Sequence, residues 1–321
     1  LLSRGLGDVY KRQRLSRATM SNWLLVVYRD WLIHIVHRLK LELLKQRYLH
    51  IDETHVQVLK EPGRKNTSDS YMWVYCSIRD AVNPIRYFEY QPGRSGKYPE
   101  AFLREYEGYI HTDAYSGYNA VSGVKRCLCY THLRRAFVDA LPKDIHNSEA
   151  SKAAEAILRL NQLFNIESEL EALPPDQKKK ERLIREKPLL EAFWSWAEKS
   201  AIGELPKSKL SKAFHYALNN REGFWNYLED GNCSISNSLA ENCIRPFVIG
   251  RKNWLFSGSP KGAEASAGIY TLVETAKANG LAPMKYIKYI LSDMPGSAFL
   301  EHPEYLDDYL PWNPLVKEFC R

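Results

Sequence analysis

At 321 residues, 45% hydrophobic and 12% aromatic, the chain can bury a sizeable core as one large domain or two modest ones, and a globular protein is expected. Six cysteines without a dense framework, no signal peptide, and a longest apolar stretch (24–44) broken by Arg29, Asp30, His34, His37, Arg38 and Lys40 argue against a disulfide scaffold and a membrane span; free thiols in a reducing, cytoplasmic setting are expected. The net charge of +7 resides in residues 1–50, where 10 Lys or Arg face 3 Asp or Glu while the remainder balances at 35 of each; this permits phosphate contact and equally describes a solvated helix face.

Residues 1–13 show neither helical nor strand period and the sequence opens without Met, so a truncated start or a foreign leader is expected there. Ser16 is a candidate N-cap for a stretch, 16–23, that looks like the second helix of a helix-turn-helix; with no helix before it, an ordinary amphipathic turn is the better reading. Leu25, Tyr28, Leu32, Ile35, Leu39 and Leu43 then follow helical spacing. From Tyr48 the period becomes strand-like, with further strands at 71–78 and 85–90 and turns at 63–70 and Asn83-Pro84, which makes an antiparallel meander. A short helix at 98–107, a strand at 108–113, a strand at 126–130 and a helix at 132–141 follow. Three antiparallel strands, a crossover helix, then strand, helix and strand is the order of a ribonuclease H-like fold.

Residues 148–231 break that rhythm with two or three helices, including 153–173 and 189–199, separated by Pro174-Pro175 and a charged run, 177–182, that is expected to be a solvated face. Helices at 235–244, 261–279 and 283–291 come next, and the tail from Pro295 is expected to be an irregular strap across the surface. The expected fold class is α/β, a ribonuclease H-like mixed sheet with flanking helices, interrupted by an all-helical insertion. Its expected segments are a basic leader with helices at the end of an upstream DNA-binding region (1–47), the first part of the core (48–147), the insertion (148–231), the C-terminal core helices (232–294) and the strap (295–321).

Three carboxylates stand out. Asp52 lies in a hydrophobic strand, where an ion must be paired, partly solvated or bound to a cation, unless the residue only marks a strand-end turn. Glu53 points to the opposite face. Asp113 closes a strand ahead of Tyr115, Gly117 and Tyr118, a placement that suits an exposed functional group or a plain Asx-turn. Glu241 completes a Ser238-x-x-Glu241 capping box, which explains it locally, yet Arg245, Arg251 and Lys252 follow it, cations that would suit a phosphate. A strand-borne Asp, a second strand-end Asp and a late helical Glu can together hold two divalent metals against a phosphodiester. Cys127, Cys129 and His132 form a possible zinc set, but strand alternation already explains the two cysteines and a fourth ligand is lacking. His132 is better read as a hydrogen-bonding or DNA-facing residue near the site. Trp194, Trp196 and Trp225 are expected to be packing aromatics.

The blocks Ile51-Asp52-Glu53-Thr54, Asp113-Ala-Tyr-Ser-Gly-Tyr118, Cys129-Tyr-Thr-His132-Leu-Arg-Arg135, Ala240-Glu241-Asn-Cys-Ile-Arg245-Pro246 and Gly250-Arg-Lys-Asn-Trp-Leu-Phe256 occur in this order over 16–291. In these blocks the chain resembles the transposases of the insertion sequence 66 family, a branch of the DDE transposases. The resemblance implies Asp52, Asp113 and Glu241 as the metal-binding triad of a ribonuclease H-like core. Two Mg2+ ions, with Mn2+ as a substitute, are the expected cofactors, activating water and then a DNA 3′-hydroxyl for cleavage at element ends and strand transfer into target DNA. His132, Arg245, Arg251 and Lys252 are the expected DNA contacts. Partners implied are transposon-end and target DNA, a second copy of the chain on paired ends, and accessory proteins of the same element. The family's usual Asp-Asn-Asn is Ser236-Asn237-Ser238 here, its Glu-Arg is Glu241-Asn242, and its upstream cysteine-rich zinc and DNA-binding region is not in this sequence. Autonomous recognition of element ends is therefore not expected. A nuclease without strand transfer and a noncatalytic DNA-binding relic are the alternatives.

Overall fold

The computed structural model describes residues 15–142 and 151–321. The leader expected over 1–13 and the junction expected at 147–148 lie outside the described residues. Helix α1 (Arg17–Val27) is capped by Ser16, whose hydroxyl accepts from the Thr19 amide at 3.0 Å. A π-helical turn, Tyr28–Leu32, joins it to α2 (Ile33–Leu44), which buries Ile35, Val36, Leu39 and Leu43. The helical spacing is thus continuous through residue 44, but α1 itself buries nothing.

Strands β1 (Tyr48–Val58), β2 (Asp69–Ser77) and β3 (Arg86–Gln91) form the antiparallel meander. Helix α3 (Lys97–Phe102) crosses over to β4 (Gly108–Thr112) and β5 (Val124–Leu128), which run parallel to β1, so the sheet order is β3-β2-β1-β4-β5. This is the ribonuclease H-like arrangement. The α3 helix stops five residues short of its expected end. The β5 strand ends at Leu128, because Cys129 turns out to cap the next helix, α4 (Tyr130–Asp139).

Alternation divides the sheet between two cores. Leu49 and Ile51 of β1 and Trp73 and Tyr75 of β2 pack under α2, whereas Val56, Val58, Met72, Val74 and Cys76 face helix α10 (Ser238–Trp254). Edge strand β3 is protected by α11 (Pro260–Ala278): the Phe88 amide donates to Thr271 Oγ1 at 2.8 Å and the Arg86 amide to Thr275 Oγ1 at 3.1 Å. A two-residue strand, β6 (Phe256–Ser257), pairs with the far end of β1. Helix α10 starts at Ser238, not at 235, and runs on through Pro246 beyond its expected end. Ile235 instead lies in the core beside α4.

Between α4 and α10 the described residues are helical, with α5 (Lys152–Glu169), α6 (Pro175–Arg185), α7 (Lys187–Ala201), α8 (Lys209–Asn219) and α9 (Arg221–Trp225). They share a third core with α4 and β5 that contains Trp194, with Trp196 and Trp225 packed at its edge. The charged run 177–182 is not wholly a solvated face. Arg182 is fully buried, clamping Glu167 (2.5 and 2.8 Å) and donating to the carbonyls of Tyr227, Asp230 and Cys233. The tail also differs from a surface strap: after α12 (Pro283–Asp293), Leu306, Tyr309 and Leu310, and Val316 and Cys320 of α13 (Pro314–Cys320), join the core under α2. Their side chains are apolar enough to displace water there, which Pro and Tyr spacing alone concealed. Among the described residues no helix is long and apolar enough to cross a membrane.

Candidate active site

Parallel pairing of β1 with β4 sets Tyr48 opposite Tyr109 and His50 opposite His111. The rings follow that register, with centroids 5.6 Å apart in the tyrosine pair and 4.2 Å in the histidine pair. One further step along the same face brings Asp52 beside Asp113, where β4 ends and the chain leaves the sheet. Glu53 falls on the other face. It accepts from Arg94 Nε at 2.7 Å and from the Tyr118 hydroxyl.

Asp113 makes the Asx-turn that its sequence context allows, accepting from the Tyr115 amide at 2.9 Å through Oδ1. Oδ2 takes no part in the turn and faces Arg94 at 3.9 Å. The Arg94 guanidinium lies 3.9 Å from the centre of the Tyr115 ring, so one arginine ties Glu53 to the Asp113 loop. Arg126 stiffens the same loop, donating to the carbonyls of Asp113 (2.6 Å) and Tyr115 (2.8 Å).

The capping-box reading of Glu241 does not hold. The residue before α10 is Asn237, no side chain caps the helix, and Ser238 pairs with Ser236 at 3.0 Å instead. Glu241 Oε1 is buried without a hydrogen-bond partner, 3.8 Å from His132 Nδ1, which is buried and unpartnered as well. Asn237 holds this helix start in place. Its Oδ1 meets His50 Nδ1 at 3.0 Å, its Nδ2 donates to the Ile51 carbonyl at 2.7 Å, and its amide donates to Cys129 Sγ at 3.1 Å. Sequence reasoning missed Asn237, Arg94 and Arg126; only the block containing Asn237 carried a signal, as the position it shares with the family's Asp-Asn-Asn.

Asp113 and Glu241 both act electrostatically on Asp52. Burial, then the negative charges of Glu53, Asp113 and Glu241, push Asp52 from 3.8 up to about 7. His132 is raised first by the adjoining Cys129 side chain and then by the negative charges of Glu241 and Asp113, against a lowering by burial. The buried, unpartnered Glu241 Oε1 is an open acceptor of the kind a divalent cation takes, whereas among the described residues Asp52, Asp113 and Glu241 do not form a group whose ligand atoms all lie within 4.8 Å of one another. The supposed zinc triple is split by the fold: Cys127 sits with His111 and Cys233, Cys129 with His132 and Glu241. Both His111 nitrogens are engaged, Nδ1 with the Leu49 carbonyl at 3.2 Å and Nε2 with the Ser234 amide at 2.8 Å.

Arg251 reaches across to β1, donating to Thr54 Oγ1 at 2.9 Å and to the His55 carbonyl, while Arg245 and Lys252 are exposed on α10. An open groove beside Asp113 is lined by Arg94, Tyr115, His132, Arg135 and, from the helical insertion, Tyr216. A sequence model described as transposase IS66 family matches residues 7–265, a span that includes all three carboxylates. The chain belongs to the IS66 transposase family. It is similar to three proteins of Sinorhizobium fredii described as uncharacterized: y4hP (27% identical over 82% of this chain and 50% of that protein), y4qI (28%, 93% and 56%) and y4jD (26%, 93% and 60%). The chain spans about half the length of the curated relatives it matches, 50–60% in these three. The sheet, the α10 helix and Glu241 all fall within the IS66 match.

Proposed function

We propose that the chain carries the catalytic centre of a DDE transposase that cleaves DNA at transposon ends and joins them to target DNA, with Asp52, Asp113 and Glu241 as metal ligands. The observation that carries this reading is the half-buried Asp52, whose carboxyl is raised to about 7 in part by the charges of Asp113 and Glu241. Three carboxylates from a strand, the loop after a neighbouring strand and a distant helix repel one another unless a cation joins them. Divalent ions bound there would lower the pKa of an attacking water or 3′-hydroxyl and stabilise the leaving oxygen. The chain's own residues do the rest. Asn237 and the His50–His111 stack hold the start of α10 against β1, and Arg94 and Arg126 fix the Asp113 loop. Arg135 in the groove and Arg245 and Lys252 on α10 are placed to meet DNA phosphates, with His132 at the groove wall and Arg251 anchoring β1 to α10. Mg2+ or Mn2+ as cofactor, a second copy on paired ends and accessory proteins of the element belong to the same proposal.

The departures at Ser236 and Ser238 favour this reading over a noncatalytic relic. They fall on either side of Asn237, pair with each other, and leave the buried Asn237 contacts intact. The test is labelled element-end DNA, in excess so that cleavage does not depend on recognition of the ends, incubated with Mg2+ or Mn2+. Wild type is expected to give cleavage and strand-transfer products, and Asp52→Asn, Asp113→Asn and Glu241→Gln to lose both. Equal cleavage by wild type and Glu241→Gln overturns the triad; cleavage without joined products reduces the activity to that of a nuclease.

A further inference from the structure

We propose that His132 is itself a metal ligand, sharing one ion with Glu241, so that this position takes a first-row transition ion that accepts nitrogen, such as Mn2+, in preference to Mg2+. The inference rests on the reading of the three carboxylates as a metal site and names the donor that sets its selectivity. Two buried polar atoms carry it. His132 Nδ1 and Glu241 Oε1 are both closed off from solvent, neither has a hydrogen bond, and they face each other at 3.8 Å. A buried polar atom left unpaired costs about 1–3 kcal/mol, so a partner shared by two such atoms that face each other is favourable.

The separation is too long for a hydrogen bond between them. A single ion about 2.1 Å from each donor can bridge atoms up to about 4.2 Å apart, which accommodates the observed spacing. His132 is also well held for this role. It lies in the first turn of α4, three residues after Cys129, and the Cys129 sulfur accepts the Asn237 amide that anchors α10. One short network thus sets the imidazole on α4 and the carboxylate on α10 face to face. Cys129, His132 and Glu241 each offer a ligand atom within 4.8 Å of the other two, which adds a soft neighbour to a nitrogen and an oxygen. Mg2+ binds through carboxylates and water and gains little from imidazole, whereas transition ions gain from both donors.

The experiment uses the full chain and Mn2+ as probe. Mn2+ binding is followed by loss of the free-ion paramagnetic signal, and the bound ion is examined by electron spin-echo spectroscopy for coupling to 14N. Wild type is expected to bind Mn2+ and show coupling to one imidazole nitrogen. In His132→Gln the coupling should vanish and Mn2+ affinity fall about tenfold or more, while Mg2+ affinity, read by competition, stays the same. Absence of nitrogen coupling in wild type overturns the proposal, and so does coupling that survives in His132→Gln. If His132→Gln does not fold, the wild-type spectrum decides alone. Mn2+ that binds without nitrogen coupling and is lost in Asp52→Asn removes His132 and leaves the carboxylate site standing. No Mn2+ binding to wild type removes both.

Discussion

Replacing Asp52 by Asn should stabilise the metal-free protein, and the gain should depend on pH. The folded chain raises this carboxyl from 3.8 to about 7, chiefly by burial and then by the charges of Glu53, Asp113 and Glu241. In the unfolded chain it ionises near the ordinary value of about 4, so between about pH 4 and pH 7 the folded state holds a proton that the unfolded state has released. Stability therefore falls as pH rises through that window and levels off above it. The full shift corresponds to about 4 kcal/mol at pH 8, an upper bound because water and salt screen the cluster. Urea unfolding of Asp52→Asn and wild type without divalent ions should differ by about 2–4 kcal/mol at pH 8, converging toward zero near pH 4. Saturating Mg2+ or Mn2+ should close the gap by stabilising wild type. A variant no more stable than wild type at pH 8, or a difference that ignores pH, refutes the reasoning.

Three further outcomes are expected from unfolding measurements. Asn237→Ala leaves His50 Nδ1 and the Ile51 carbonyl without their partner and should cost about 2–4 kcal/mol; a change within about 0.5 kcal/mol, as at an ordinary surface site, would show that the clamp is idle. Arg182→Met strands the buried Glu167, which keeps only Lys178 at 3.2 Å, and should cost about 3–5 kcal/mol. The double variant Arg182→Met/Glu167→Gln should recover part of that loss, and no recovery would mean that the cost lies in the severed carbonyl contacts. Gly268→Ala puts a Cβ 2.1 Å from the Tyr28 ring and should destabilise by about 1–3 kcal/mol, relieved when Tyr28→Leu is added; an unchanged midpoint would show that α11 has room to move.

The strands were legible because alternation is local: Leu49, Ile51, Val56 and Val58 show which faces of β1 are buried without reference to anything else. The two aspartates were legible for the same reason, Asp52 being a charge within an apolar strand and Asp113 a charge directly after one. Element ends were harder. Cys127 and Cys129 continue the alternation of β5 past Leu128, and nothing nearby in sequence says that Cys129 will start a helix. Ile235 looks like the first apolar residue of α10 but faces the insertion core, and its carbonyl accepts the Tyr130 amide at 3.0 Å.

What the sequence determined by itself was the periodic pattern and the order of elements, and with them the ribonuclease H-like sheet and the adjacency of Asp52 and Asp113. Tertiary structure alone decided the fate of Glu241. A capping box was locally sufficient for it, and the alternative depends on contacts that span the chain: Asn237 bonds to Ile51, 186 residues away, and His132 comes to Glu241 from a different helix. The same holds for Arg182, charged within a charged run yet buried because carbonyls of the segment leading to α10 close over it. Periodicity reports how much of an element is buried, since burial repeats with the backbone. It carries no record of which distant group a polar side chain will meet, because that partner is set by the packing of whole elements against one another.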